Sequence, residues 1–545
     1  GNMLVNEGRE AQITFEATVK VVKEGDLGTN DGSGFINKSI MDMLPALLHD
    51  RFLQVRAAIT PHDLKLSFDK KAVLGKGCVQ GMEDEVSCHP EVLADMIIPD
   101  SFIKPDAGDV IGKTFRATVH LGVTSYSTDG ETYLAQTGVI HMPWEVIEKD
   151  VIPDSERILG ELTNGFHSEG HQDLLKLIGA ENSITGFYRV MEGCLAADGD
   201  GSFMRHPFVH SGTLRLMAAK LRKLFLGGVL MDKRTLKPDS FIAVDENGKL
   251  FHGTNWMPDR AALTDNEGNR SITIRFPIRM REDLLPVEHI SSTVDHGKGT
   301  AVDYLLRSFP EMSRTLAVRI VKEQLYLKHC VSLNGGYAKL FGGDYDGDLV
   351  YLMSGVRYPN VIDWRFNMEE RKQPKKNKVE KQRRPWHEIG RISFEAMGNT
   401  VGSVTNTILS VIAGGEWERQ YPLAEELQNE VGGLKHGTRA DMERVRLIKA
   451  GIPIETVDNY LAGNCKVALS VLKKEATPIR DPKWLAIDKK EVKSFTDLPD
   501  YVAPASDADV VAKLYNHLYA VAKELLGEAH PISYYAAIFD GLYGD

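Results

Sequence analysis

Between residues 10 and 150 apolar positions alternate with polar ones or gather into short β-branched and aromatic runs bounded by Gly, Asp and Pro. AQITFEATVKVV, LQVRAAI, LKLSF, TFRATVHLGV and YLAQTGVIHM all carry this pattern, which predicts strands separated by turns. From 151 to about 225 the spacing changes to that of helices, as in LLKLIGAENSITGFYRVMEGCLA and GTLRLMAAKLRKLFL. A second β-rich stretch follows to about 360, with SFIAVDENGKLFH, SITIRFPI, HCVSL and DLVYLMSGV as its clearest runs and a helical insert near 300–325. Residues 387–545 read mostly as helix. The order is β-rich, helical, β-rich, helical, and two β regions of similar size are compatible with an old duplication.

Composition narrows the class without naming it. The chain has 545 residues, 42% of them hydrophobic and 26% charged, which suits a globular protein of several domains. Its five cysteines are scattered and none forms a CxxC pair, which argues against a structural zinc site and a disulfide framework and suits a reducing cytoplasm. Gly1 and Asn2 ahead of Met3 read as an expression scar, and residues 3–25 mix apolar with charged positions, unlike a signal peptide. No apolar run reaches the roughly 20 residues that a membrane span needs. The net charge of −11 does not advertise a nucleic-acid binder, but a basic channel can sit inside an acidic shell. One segment stands apart: residues 369–386 carry eight Lys or Arg against three Glu. It reads either as a solvated linker or as an arm that contacts phosphates.

The chemistry concentrates at Leu340–Met353, LFGGDYDGDLVYLM. Asp344, Asp346 and Asp348 recur at alternate positions, and Gly342, Gly343 and Gly347 permit a tight loop that aims the carboxylates at one point. Three carboxylates so close repel one another unless a cation sits between them, and hard oxygen ligands select magnesium or calcium. An EF-hand loop counted from Asp344 would need Gly and Glu where Leu349 and Gly355 stand. A haloacid-dehalogenase-like phosphatase loop would follow an apolar strand, whereas Phe341-Gly342-Gly343 precedes this one, with Asp348 in place of the usual Thr. A plain solvated acidic turn is the third alternative, and the apolar run LVYLM that follows directly speaks against an idle one.

GGDYDGD resembles the DxDGD loop of the two-barrel RNA polymerases, a group that joins the RNA-dependent polymerases of RNA silencing, the largest subunit of multisubunit RNA polymerases and single-chain phage relatives. Further stretches resemble that group in the expected order. Arg275-Phe276-Pro277 is similar to its Arg-x-Pro, Asp31-Gly32-Ser33-Gly34 to its DGxG, Gln54-Val55-Arg56 to its QxR, and Lys76-Gly77 to its Lys-Gly. Downstream, residues 398–406 are similar to the helix segment after the second barrel, and Lys435-His436-Gly437 to a later KxG.

The resemblance implies an α+β fold of two double-psi β-barrels: the first at 10–150, a helical connector at 151–214, the second at 215–360, a basic linker at 361–386 and a helical region at 387–545. It implies a magnesium-dependent nucleotidyltransferase, with Asp344, Asp346 and Asp348 as metal ligands and Arg275 beside the ribose. Lys76 and a second lysine meet the phosphates, and Lys435 belongs to the substrate site. Lys71 is the candidate for the second lysine, with Lys65 and Lys70 as alternatives. Expected partners are nucleoside triphosphates, a DNA or RNA template and an RNA product, with no membrane. DNA is favoured as template by analogy with phage machinery. A primase-like or template-independent enzyme on the same scaffold and a catalytically inactive nucleic-acid-binding relative are the alternatives.

Overall fold

The computed structural model describes residues 11–24, 32–66, 71–82, 94–104, 110–167, 197, 206–238, 254–256, 270–290, 299–308, 310–320, 327, 329–333, 338–343, 345, 347–368, 400–431, 438–465, 467–489 and 492–526. Among the described residues no helix is long and apolar enough to cross a membrane. The basic segment 369–386, the whole run predicted helical at 174–196, and Lys435 lie outside them. The fold is mixed α and β, and the chain divides into two compact units. The first comprises Gly1–Thr132, Met231–Phe276 and Asp283–Met368; the second comprises Tyr133–Leu230, Pro277–Glu282 and Glu369–Asp545.

In the first unit, β1 (Ala11–Val22), β2 (Ser33–Asn37), β3 (Leu53–Pro61), β4 (Val73–Met82), β5 (Met96–Pro99) and β6 (Thr114–Tyr126) close into a barrel in the order β1-β5-β2-β4-β3-β6. The alternation in the sequence is what allows it. Phe15, Ala17 and Val19 on β1 lie opposite Val119, Ala117 and Phe115 on β6, and all six side chains are buried in one core. Successive residues of a strand point to opposite faces, so the intervening Glu16, Thr118 and Arg116 face outward. Each fully buried Val or Phe contributes about 1.5–3 kcal/mol, which is enough to set the register.

A second ring repeats this plan. β8 (Leu230–Pro238), β9 (Thr254–Trp256), β10 (Arg270–Ile274), β11 (Leu285–Ile290), β12 (Cys330–Leu333) and β13 (Leu349–Ser354) follow the order β12-β9-β11-β10-β13-β8, with a further β12–β8 pairing. β7 (Gly130–Tyr133) extends this sheet beside β8. Taken in chain order, the two sets of six strands pair identically. β1 is parallel to β5 as β8 is to β12, and β2 is parallel to β4 as β9 is to β11. The antiparallel pairs correspond as well: β1–β6 to β8–β13, β3–β6 to β10–β13, β3–β4 to β10–β11, and β2–β5 to β9–β12. In each set the parallel neighbours are not consecutive, so the chain crosses the ring between them.

Some expected boundaries shift. The run Tyr133–Met142, read as β, forms a short helix at Gln136–Val139, and LKLSF contributes no strand over its described residues. The helix Pro207–Gly227 runs past residue 215, where the second barrel was expected to begin, and strand structure starts at Leu230. Its ends follow local rules: Pro207 occupies the first turn, where no N–H is required, and Gly228 caps the C-terminus at φ +70°. The expected helical insert is present as Ala301–Ser308 and Arg314–Ile320.

In the second unit, Val510–Leu526 packs on Ile152–His167 and on Pro207–Gly227. Phe225 meets Phe495, Tyr515 and Tyr519 edge-on, with Phe495 and Tyr519 stacked at 4.9 Å. The buried Trp484 donates from its indole Nε1 to Asp509 Oδ1 at 2.9 Å, which satisfies a donor that burial would otherwise strand.

Candidate functional site

Three of the motifs lie on adjacent strands of the barrel. Ser33 and Gly34 on β2 pair with Cys78 and Val79 on β4, and on the other side of β4 Gln54 faces Cys78, Val55 faces Gly77 and Arg56 faces Lys76. Val55, Val73 and Val79 belong to the barrel core, so Gln54, Arg56, Lys76 and Cys78 project from its outer face. Arg56 and Lys76 are therefore two cations directly opposite each other, an arrangement that strand pairing by itself disfavours. The glycines let the strands approach. A Cβ on Gly77 would lie 2.0 Å from the Gly32 carbonyl oxygen, and that oxygen accepts the Cys78 N–H at 3.0 Å.

Arg275 and Asp348 leave neighbouring antiparallel strands, β10 and β13, where Ile274 faces Tyr351. Arg275 Nε donates to Asp348 Oδ2 at 2.6 Å, and both side chains are only 19% exposed. Phe276 packs edge-on against Tyr351, with ring centroids 5.1 Å apart, and burial raises the Tyr351 hydroxyl above its ordinary pKa. Asp348 is also fixed through its backbone, since its carbonyl accepts the Leu236 N–H of β8 at 2.8 Å. Within the aspartate loop Tyr345 turns into the core of the second ring and donates its hydroxyl to the Leu333 carbonyl. Gly342 and Gly347 take positive φ values of +73° and +106°, as the tight loop requires. Asp344 and Asp346 lie outside the described residues.

The outer face of the barrel meets this loop within the first unit. A Cβ on Gly347 would stand 3.3 Å from Gln54 Nε2, while Gln54 Oε1 accepts the Thr124 hydroxyl at 3.2 Å. Phe52, just ahead of β3, and Cys78 of β4 share an apolar cluster with Leu327 and with Cys330, the first residue of β12. Burial pushes the Cys330 thiol up to about 11, so it is an apolar filler and not a nucleophile. A polar seam adjoins it. Arg51 donates to the Ser127 carbonyl at 2.9 Å, and Asp129 Oδ1 lies 2.9 Å from His329 Nδ1. Burial would raise the Asp129 carboxyl, but His329 and Arg234 outweigh it and the pKa falls.

The predicted residues divide accordingly. Arg275 and Asp348 are in direct contact, and Lys76 shares a strand-pair face with Gln54, which reaches Gly347. Lys71 stands exposed ahead of β4 and Lys65 is exposed beyond β3, while Lys70 lies outside the described residues. The sequence reading gave no role to Arg56. Its signal was present, since an arginine two positions after Gln54 projects from the same face, but only the register places it against Lys76. Among the described residues no group of three His, Cys, Asp or Glu side chains is arranged to hold a metal. The motif's donor set, carboxylate oxygens alone, is chemically suited to magnesium, and Asp348 already draws a cationic guanidinium. Compared with protein-family models and with the curated proteins, the chain matches none.

Proposed function

We propose that the chain is a template-directed RNA polymerase whose two rings are double-psi β-barrels. The observation that carries this reading is the repeated six-strand pairing inside one compact unit, with Gln54 of the first ring set against Gly347 in the aspartate loop of the second. In the reaction, the 3′-hydroxyl oxygen of the growing strand bonds to the α-phosphorus of a nucleoside triphosphate. The bond to the bridging oxygen breaks, pyrophosphate departs and the hydroxyl proton is lost to solvent.

The residues on this chain contribute positioning and charge. Lys76 and Arg56 offer two cationic side chains to the triphosphate. Arg275 offers hydrogen-bond donors to the ribose. Asp344, Asp346 and Asp348 would hold magnesium, which supplies charge neutralisation and activates the attacking hydroxyl. No covalent intermediate on the protein is needed. A DNA template is the favoured substrate.

The test is nucleotide incorporation on matched DNA and RNA primer–templates, with each nucleotide omitted in turn. Asp346→Ala should abolish incorporation in magnesium while leaving the melting temperature nearly unchanged, because removing one carboxylate relieves repulsion in the metal-free protein. Incorporation near the wild-type rate by that variant would sink the reading.

A further inference from the structure

We infer that Asp348 is the positioning residue for Arg275, so that one carboxylate of the aspartate loop couples metal binding to the choice of sugar. The inference rests on the polymerase reading and on the contact itself. Arg275 reaches Asp348 through Nε, the donor closest to its backbone, at 2.6 Å. Among the described residues neither terminal guanidinium nitrogen has a partner. An arginine held at Nε keeps its planar fork oriented, with the terminal donors directed onward to a ligand.

Both partners are rigidly mounted. Arg275 is the first residue after β10 and is followed by Phe276, locked edge-on to Tyr351, and then by Pro277 with its fixed φ. Asp348 precedes β13, whose Leu349 pairs with Thr235 and whose Tyr351 pairs with Ile274. The two side chains thus emerge from paired strands only a few residues beyond their register contacts. Side chains that are 19% exposed are screened weakly enough for the charge-assisted hydrogen bond to hold one geometry.

The consequence is specific to Asp348. A carboxylate that only holds metal can be lost at the cost of metal affinity, and the sugar preference of the remaining complex survives. A carboxylate that also orients the ribose-reading arginine cannot be lost without loss of sugar preference.

The experiment measures nucleotide binding rather than turnover. Full-length protein is loaded with a template and a 3′-deoxy-terminated primer, and the Kd values for ATP and dATP opposite thymine are determined at magnesium concentrations saturating for each variant. Arg275→Ala and Asp348→Ala should each reduce the dATP/ATP Kd ratio by at least about tenfold, since a site that pairs with a hydroxyl rejects the analogue lacking it. The double variant should be no worse than either single variant, the signature of two groups acting as one. Asp346→Ala should need more magnesium yet keep the wild-type ratio. Asp348→Leu, similar in volume and without an acceptor for the Arg275 Nε–H, gives the same comparison should the alanine variant melt early. A wild-type ratio in the Asp348 variants, an equal loss in Asp346→Ala, or additive losses in the double variant would overturn the coupling. Failure of the wild-type protein to bind nucleotide on the primer–template would instead remove the polymerase reading on which the coupling stands.

Discussion

Gly347 shows how much one position can carry. Its φ of +106° lies in a region that side chains avoid, and a Cβ there would press on Gln54 Nε2 at 3.3 Å. Gly347→Ala is therefore expected to destabilise the protein by about 1–3 kcal/mol, the usual cost of such a strained backbone. Because the strain sits between Asp346 and Asp348, incorporation should fall by more than the folded fraction does. Denaturant unfolding and incorporation measured on the same preparation separate the two effects; an alanine variant with wild-type stability would show that the loop does not need its glycine. The glycine was legible in the sequence because the loop is contiguous and what it demands of the backbone is local. The Arg275–Asp348 contact was not, since nothing in either segment reports that β10 and β13 are neighbours. The resemblance assigned the two residues separate roles, and only pairing unites them.

At the scale of elements, legibility follows the source of each signal. β1, β3 and β6 could be read because their inward positions are apolar and their outward positions polar. β8 could not, since its run LMDKRTLKP carries four charged residues, of which Arg234 and Lys237 are buried and break the alternation. The opposite error occurred at Tyr133–Met142, where burial on all sides erases periodicity and an apolar stretch that folds as a helical turn looks like a strand. Strand pairing was beyond reach, because the parallel partners of each ring are separated by other strands. The Lys-Gly motif joins the two levels: Gly77 is present so that β2 can approach β4. Gly77→Ala would place a methyl 2.0 Å from the Gly32 carbonyl oxygen and 2.4 Å from Phe102 Cδ2. The expected cost is at or above the upper end of the roughly 1–3 kcal/mol typical of overpacking, because the first obstacle is backbone. Thermal melting tests this, and a variant within about 0.5 kcal/mol of wild type would mean that the strands separate more readily than their hydrogen bonds indicate.

For the whole molecule, the chain does not divide as a linear reading divides it. Pro277–Glu282 belongs to the second unit although it is flanked on both sides by the first, and it begins directly after Phe276. This short segment brings Arg281 to the second unit, where its guanidinium lies 4.3 Å from the Trp417 ring centroid. His141 is fully buried in the same unit, tilted against Trp417 at 6.5 Å, and among the described residues neither ring nitrogen has a hydrogen-bond partner. Burial, with a smaller contribution from Arg281, lowers its pKa from 6.5 to about 3. Below about pH 6.5 the unfolded chain takes up a proton that the folded protein refuses, so the stability due to this residue is complete above that pH. It is lost as the pH falls towards 3, at up to about 1.4 kcal/mol per pH unit and on the order of 4 kcal/mol in all. His141→Leu should remove this component, leaving a shallower decline of stability in acid and a variant that overtakes the wild-type protein as the pH drops. Denaturant midpoints measured from pH 7.5 to about 4.5 for both proteins give the difference directly. If the difference does not change with pH, the buried imidazole is reached by protons without unfolding, and the acid sensitivity of this unit arises from its carboxylates.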